Sequence, residues 1–320
     1  MSHRFVALNG ALAAVIAVSL VPVLARAQAP KGTAGATKWT QSKTPWGDPN
    51  LQGEWTGMTP TPLQRRTDGQ EPVTDPVELA RRWDRDPEAT GGVGTYNAYW
   101  HEVGQATGRA SLIVDPPDGR LPPMTPEAQK RIEAAAALRN PDGSQRDPAG
   151  PEDRSAHERC LNWDLLITGA VSTWYRIVQT PGYVAINQYR MHDMRLIPLD
   201  GRPHLPQDAR AWVGDSRGHW EGNTLVVDTA NFNGRTNYQG SSANMHLVER
   251  YTQIDANTID YQATVDDPTT WTRPWTIANP LRRDTDGFFE YACHEGNFAM
   301  TGILSGARAK ERQAATTNSK

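Results

Sequence analysis

Over its second half this chain alternates apolar and polar residues strand after strand, with only tight turns between, and that pattern dictates a β fold. From Thr173 the run Trp174–Gln179 meets a Pro181-Gly182 turn and is answered by Tyr183–Tyr189, a hairpin signal. Met194–Leu199 follows and ends at Asp200-Gly201. His219-Trp220, the turn Glu221-Gly222-Asn223 and Thr224–Thr229 form a further hairpin. Leu247–Ile254 and Thr258–Val265 flank Asp255-Ala256-Asn257, and Trp271–Ile277 and Phe288–Cys293 close the series. About eight strands with no helices between them make an antiparallel meander. So long a meander curls into a barrel or a two-sheet sandwich, which shortens its exposed edges. The expected fold is therefore mainly β, an antiparallel meander closing into a barrel or sandwich.

The N-terminal part reads differently. A basic start (His3, Arg4), the apolar run Ala11–Leu24 and Ala25-Arg26-Ala27 have the layout of a secretory signal peptide cleaved after Ala27, with Ala29 the next site. The run is short for a bilayer span and carries Pro22, which argues against an anchor. The expected location is periplasmic or secreted, with no integral membrane segment after cleavage. Residues 28–45 read as a flexible leader, and 46–160 as a proline-rich segment wrapped on the core. Two short helices are expected in that segment. One runs from Pro76 to Trp83, and one starts at the Thr125 cap and runs from Pro126 to Leu138. Ser111–Arg120 is a short strand breaking into a turn. The core occupies 161–306, and 307–320 reads as a disordered tail.

Composition narrows the function classes. A formal net charge of −3 leaves no basic footprint for nucleic acid. Eleven Trp against five Phe suit amphipathic aromatic linings. Cys160 and Cys293 are the only cysteines, and in an oxidising compartment their default is one disulfide, the alternative being a catalytic thiol. No Walker loop, dinucleotide fingerprint or haem Cys-x-x-Cys-His occurs, so no organic cofactor is expected. Gly-x-Ser-x-Gly is also missing, so a serine hydrolase has no local support.

Several strings resemble an uncharacterised secreted bacterial protein family common in soil bacteria: SLIVDPPDGR (111–120), PEDRSAHERC (151–160), IPLDGRPH (197–204), GDSRGHWEGNTLVV (214–227), DDPTTWTRPW (266–275) and EYACHEGN (290–297). The resemblance covers most of the mature chain and implies export but no chemistry. Gly53-Glu54-Trp55 is similar to the Gly-x-Trp opening of lipocalin-like barrels, where the Trp closes the barrel floor.

The sharpest chemical cluster is Glu290–Asn297. Strand alternation places Glu290 and His294 on one face, and Tyr291, Cys293 and Glu295 on the other. A carboxylate and an imidazole beside a disulfide make a general acid/base pair or a metal edge; otherwise they lock the last strand to the Cys160 loop. His192 shares a face with Met194, and Asp193 shares the other with Arg195. If the cysteines pair, Arg159 and Glu158 are drawn toward His294 and Glu295, with Arg154 nearby. The expected catalytic set is His294, Glu290, Glu295, His192 and Arg159, and His192 and His294 are the ligands if a divalent metal binds. Trp174, Trp271, Trp275, Arg154 and Glu158 are the expected substrate contacts. Trp271 and Trp275 form an aromatic wall or, alternatively, barrel core.

The favoured expectation is an exported enzyme without organic cofactor. It would use acid/base chemistry of lyase, hydratase, isomerase or hydrolase type on a small aromatic or glycosidic molecule in a Trp-lined cavity. A periplasmic small-molecule-binding protein of lipocalin-like type is the first alternative, and a structural envelope protein the second.

Overall fold

A computed structural model of the chain describes residues 39–68, 104–140, 145–163, 165–166, 173–235, 238–285 and 287–318. The signal-peptide reading and the Pro76–Trp83 helix lie outside these residues.

Among the described residues eleven strands form one antiparallel sheet. They are β1 (Gly53–Thr56), β2 (Ile113–Asp115), β3 (Trp174–Thr180), β4 (Tyr183–Gln188), β5 (Met194–Pro198), β6 (Asp215–Glu221), β7 (Thr224–Ala230), β8 (His246–Asp255), β9 (Thr258–Asp266), β10 (Trp275–Ala278) and β11 (Leu281–Arg283). The order is β5-β4-β3-β1-β11-β9-β8-β7-β6, while β10 pairs with β9 and carries β2 on its other side. The sheet curls until β5 and β6 lie alongside each other, nearly closed into a barrel. No backbone ladder joins these two among the described residues.

Alternation makes the wall. In β8, Leu247, Glu249, Tyr251 and Gln253 are buried in turn; in β9, Ile259, Tyr261, Ala263 and Val265 are. This is the period-two pattern of a sheet with one face turned to a core. The β6–β7 hairpin turns through Glu221-Gly222-Asn223, with Gly222 at φ +60°. At the seam Gly218 of β6 lies under β5. A Cβ there would fall 2.7 Å from Ile197 Cγ2 and 2.8 Å from Leu199 Cδ2, so the close approach of the edge strands requires glycine.

The segment expected to wrap the core instead supplies two of its strands. β1 sits between β3 and β11, with Trp55 opposite Tyr175 and Arg283. Trp55 is fully buried, donates from Nε1 to the Leu51 carbonyl at 2.9 Å, and carries the Arg283 guanidinium 4.3 Å from its ring centroid. The Gly-x-Trp opening is thus a barrel stave that ends on a capped indole.

Helix α1 (Pro126–Ala137) forms where expected: Thr125 accepts from the Ala128 N–H at 3.1 Å, and Pro126 occupies the first turn. The C-terminus differs from expectation in two ways. Phe288–Cys293 forms no strand, because no neighbouring strand offers a ladder there. The expected disordered tail is instead part of helix α2 (Phe298–Asn318), whose run Ala307–Ala315 consists of Ala, Arg, Lys, Glu and Gln, all good helix formers. Its Arg308 donates to the Ala149 and Pro148 carbonyls, each at 2.7 Å. No helix among the described residues is long and apolar enough to cross a membrane.

Candidate functional site

Cys160 and Cys293 are disulfide-bonded, with their Cα atoms 5.7 Å apart. The bond ties the loop after Pro151–Asp153 to the segment leading into α2. Asn297 adds to the tie by donating to the Glu158 carbonyl at 3.0 Å and to Cys160 Sγ at 3.3 Å. Between the two segments lies a cavity of about 430 Å³, lined by the disulfide, His157, Glu158, Tyr291, Asn297, Met300 and Ile303.

His157 is the titratable group that distinguishes this cavity. Its ring packs edge-on against Trp163, whose other neighbour is the Arg190 guanidinium, 3.6 Å from the ring centroid. Burial, with Arg190 nearby, pushes the His157 imidazole below its ordinary value, against a smaller opposing pull from Glu158. His157 is therefore a neutral hydrogen-bonding group at neutral pH. Glu158 accepts from the Ser155 N–H and hydroxyl at 3.0 and 2.9 Å and faces Arg154 at 3.8 Å. Burial raises its carboxyl, but these partners outweigh burial and hold it below its ordinary value.

The remaining expected site residues do not gather here. Glu290, His294 and Glu295 are exposed, because the chain that carries them runs without a strand. Arg159 turns to Glu152 at 3.9 Å, and Arg154 reaches Gln145. The side chain of His192 lies outside the described residues. Trp174 stands on the outer face of β3, 4.9 Å from the Tyr189 ring. Tyr189 in turn meets Phe288 and Tyr291, so this aromatic group fastens the C-terminal segment to the wall. Trp271 and Trp275 are core, 1% and 0% exposed, edge to face at 5.3 Å. They fill space instead of lining a mouth. Among the described residues no group of three or more His, Cys, Asp or Glu could hold a metal ion.

Sequence reasoning missed two further polar groups. Inside the barrel Arg195 of β5 forms an ion pair with Glu249 of β8. Glu249 Oε1 also accepts from the Tyr251 and Tyr261 hydroxyls at 2.7 and 2.9 Å. Burial, reinforced by Glu249, pushes both phenols well above their ordinary value, so they remain donors. The signal was there to find: charged residues of opposite sign at inward positions of two strands.

On the outer wall His204 places Nδ1 3.0 Å from Asp215 Oδ2 and Nε2 2.7 Å from Asp228 Oδ1. His246 Nε2 lies 2.9 Å from both oxygens of Asp228. Burial works against the Asp228 carboxylate, but its bonds to His246 and His204 hold it below the ordinary range. The same contact raises His246.

No family model matches the chain, and no curated protein is similar to it. Among solved structures a single-site mutant of the fluorescent protein UnaG is similar at 16% identity. The match covers 41% of this chain and 86% of that one, with a TM-score of 0.23.

Proposed function

We propose that this is an exported small-molecule-binding protein whose site is the disulfide-walled cavity outside the barrel. The observation that carries the reading is that cavity itself. Its volume, about 430 Å³, falls in the range of small-ligand sites. Met300, Ile303, Tyr291 and the disulfide give it apolar surface, while His157 and Glu158 supply a few polar atoms. That mixture suits a partly apolar molecule bearing hydroxyl groups, such as a phenol or an aryl glycoside. The barrel interior supports the placement, because it is occupied by Trp55, Trp271, Trp275 and the Arg195–Glu249 pair.

Acid/base turnover in the same cavity is a second reading, favoured by one observation: a neutral imidazole stands beside a carboxylate there. His157 would be the proton acceptor in that case, in place of His294.

The test is methyl NMR of Met300 and Ile303 during titration with p-cresol and with phenyl β-glucoside. Shifts at both methyls in the wild type, with the Ile303 shift vanishing in Met300→Glu, support the site. Unchanged spectra up to millimolar probe dispose of it. Recovery of a mature chain beginning at Gln28 from a bacterial periplasm tests export.

A further inference from the structure

The barrel closes without a backbone ladder at one place, between β5 and β6, and the 199–214 segment connects those two edge strands directly. Side chains must hold that seam. Gly218 lets Ile197 and Leu199 pack down on β6. Above them the connecting segment is fastened across three strands by one array. His204 reaches Asp215 on β6 and Asp228 on β7, and His246 on β8 shares Asp228. The Leu205 N–H also donates to Asp215 Oδ2 at 2.9 Å, and Arg217 Nε donates to the Pro203 carbonyl at 2.9 Å.

Donor accounting makes the array conditional. Carboxylate oxygens only accept, so both His204 contacts are hydrogen bonds only while both ring nitrogens carry hydrogen. Loss of either hydrogen turns one contact into a lone pair facing a carboxylate. We infer that the segment holding His204 is a clasp that keeps β5 against β6 while both of its ring nitrogens carry hydrogen, so that the seam loosens as pH rises.

The charged groups around the array favour that sign. Asp215 (β6), Asp228 (β7) and Asp266, opposite His246 on β9, are acidic; Arg217, which itself pairs with Asp215 at 2.6 Å, and His246 are the basic partners. On the segment itself Asp200 and Arg202 pair with each other, and Arg210 donates to the Phe232 and Ala243 carbonyls. Those bonds and the Asn231 bond to the Leu205 carbonyl at 2.8 Å do not depend on His204, so the release is local.

Amide hydrogen exchange of the full chain, corrected for intrinsic rates, tests this by comparing about pH 5.5 with about pH 8.5. Protection over Met194–Pro198 and Asp215–Glu221 is expected to fall about tenfold at the higher pH relative to β9. In His204→Gln, whose amide can donate but does not titrate, the ratio to β9 should be low at both values. Seam protection that stays constant with pH in the wild type overturns the inference. So does a Gln variant that keeps the wild-type pH response. If that variant does not fold, the wild-type series decides alone.

Discussion

Arg195 and Glu249 meet across the seam of the barrel, one from an edge strand and one from a strand two places beyond the other edge. The pair is buried, 4% and 1% exposed at the side chains, and two tyrosine hydroxyls complete its hydrogen bonding. Burying the guanidinium opposes its charge, but Glu249 beside it holds the proton more firmly than water would. Removing one partner strands the other in the core. Arg195→Met should cost about 3–5 kcal/mol, read by urea unfolding. The double replacement Arg195→Met with Glu249→Leu should recover part of that loss. If the single and double variants are equally unstable, the pair is not the strut of the seam.

Gly218→Val should destabilise by about 1–3 kcal/mol, because its branched side chain has to displace Ile197 or Leu199. Thermal unfolding checks it, and Gly222→Asn, in the open hairpin turn, is the comparison that should cost less.

The Asp228–His246 contact ties stability to pH from both sides. Asp228 is depressed, so its contribution is present above the unfolded carboxylate value and lost as pH falls through the lower folded value. His246 is raised, so its contribution is full below the unfolded imidazole value and lost as pH rises through the higher folded one. Both groups are more than a third exposed, so solvent screening limits the effect to less than about 1 kcal/mol. A plot of Tm against pH should show a shallower alkaline decline in His246→Gln than in the wild type. Parallel curves would mean the contact has no such role.

Replacing Cys160 and Cys293 by alanine should lower stability by about 2–5 kcal/mol. The loss should concentrate at the C-terminal side: limited proteolysis should cut around Phe288–Asn297 while the strands remain protected. Probe-induced shifts at Met300 should disappear with the bond. Intact cavity binding in the alanine pair would separate the site from the disulfide.

Much of the barrel was readable because its grammar is local. The β6–β7 and β3–β4 hairpins carry their turn residues between alternating runs, and Thr125-Pro126 announces α1. What alternation cannot tell is what a face looks at. It gave Trp271 and Trp275 one shared face, as an aromatic wall or as barrel core, without deciding between the two. It gave Glu290–Cys293 a strand's pattern although no partner strand lies there among the described residues, and His294 and Glu295 are exposed. His157 sat unnoticed within PEDRSAHERC, because its burial depends on Trp163 and on a helix far along the chain. His204, Asp228 and His246 lie in separate stretches of the sequence. Their union depends on the return path of the 199–214 segment, which no local pattern encodes.

The position of β1 has a consequence for biogenesis. Trp55 pairs with Tyr175 on one side and with Arg283 on the other, so segments far apart in the sequence interlock. A nascent chain cannot complete its cylinder until β11 has left the ribosome. Until then the flanking edges stay open, which makes truncated products prone to aggregate.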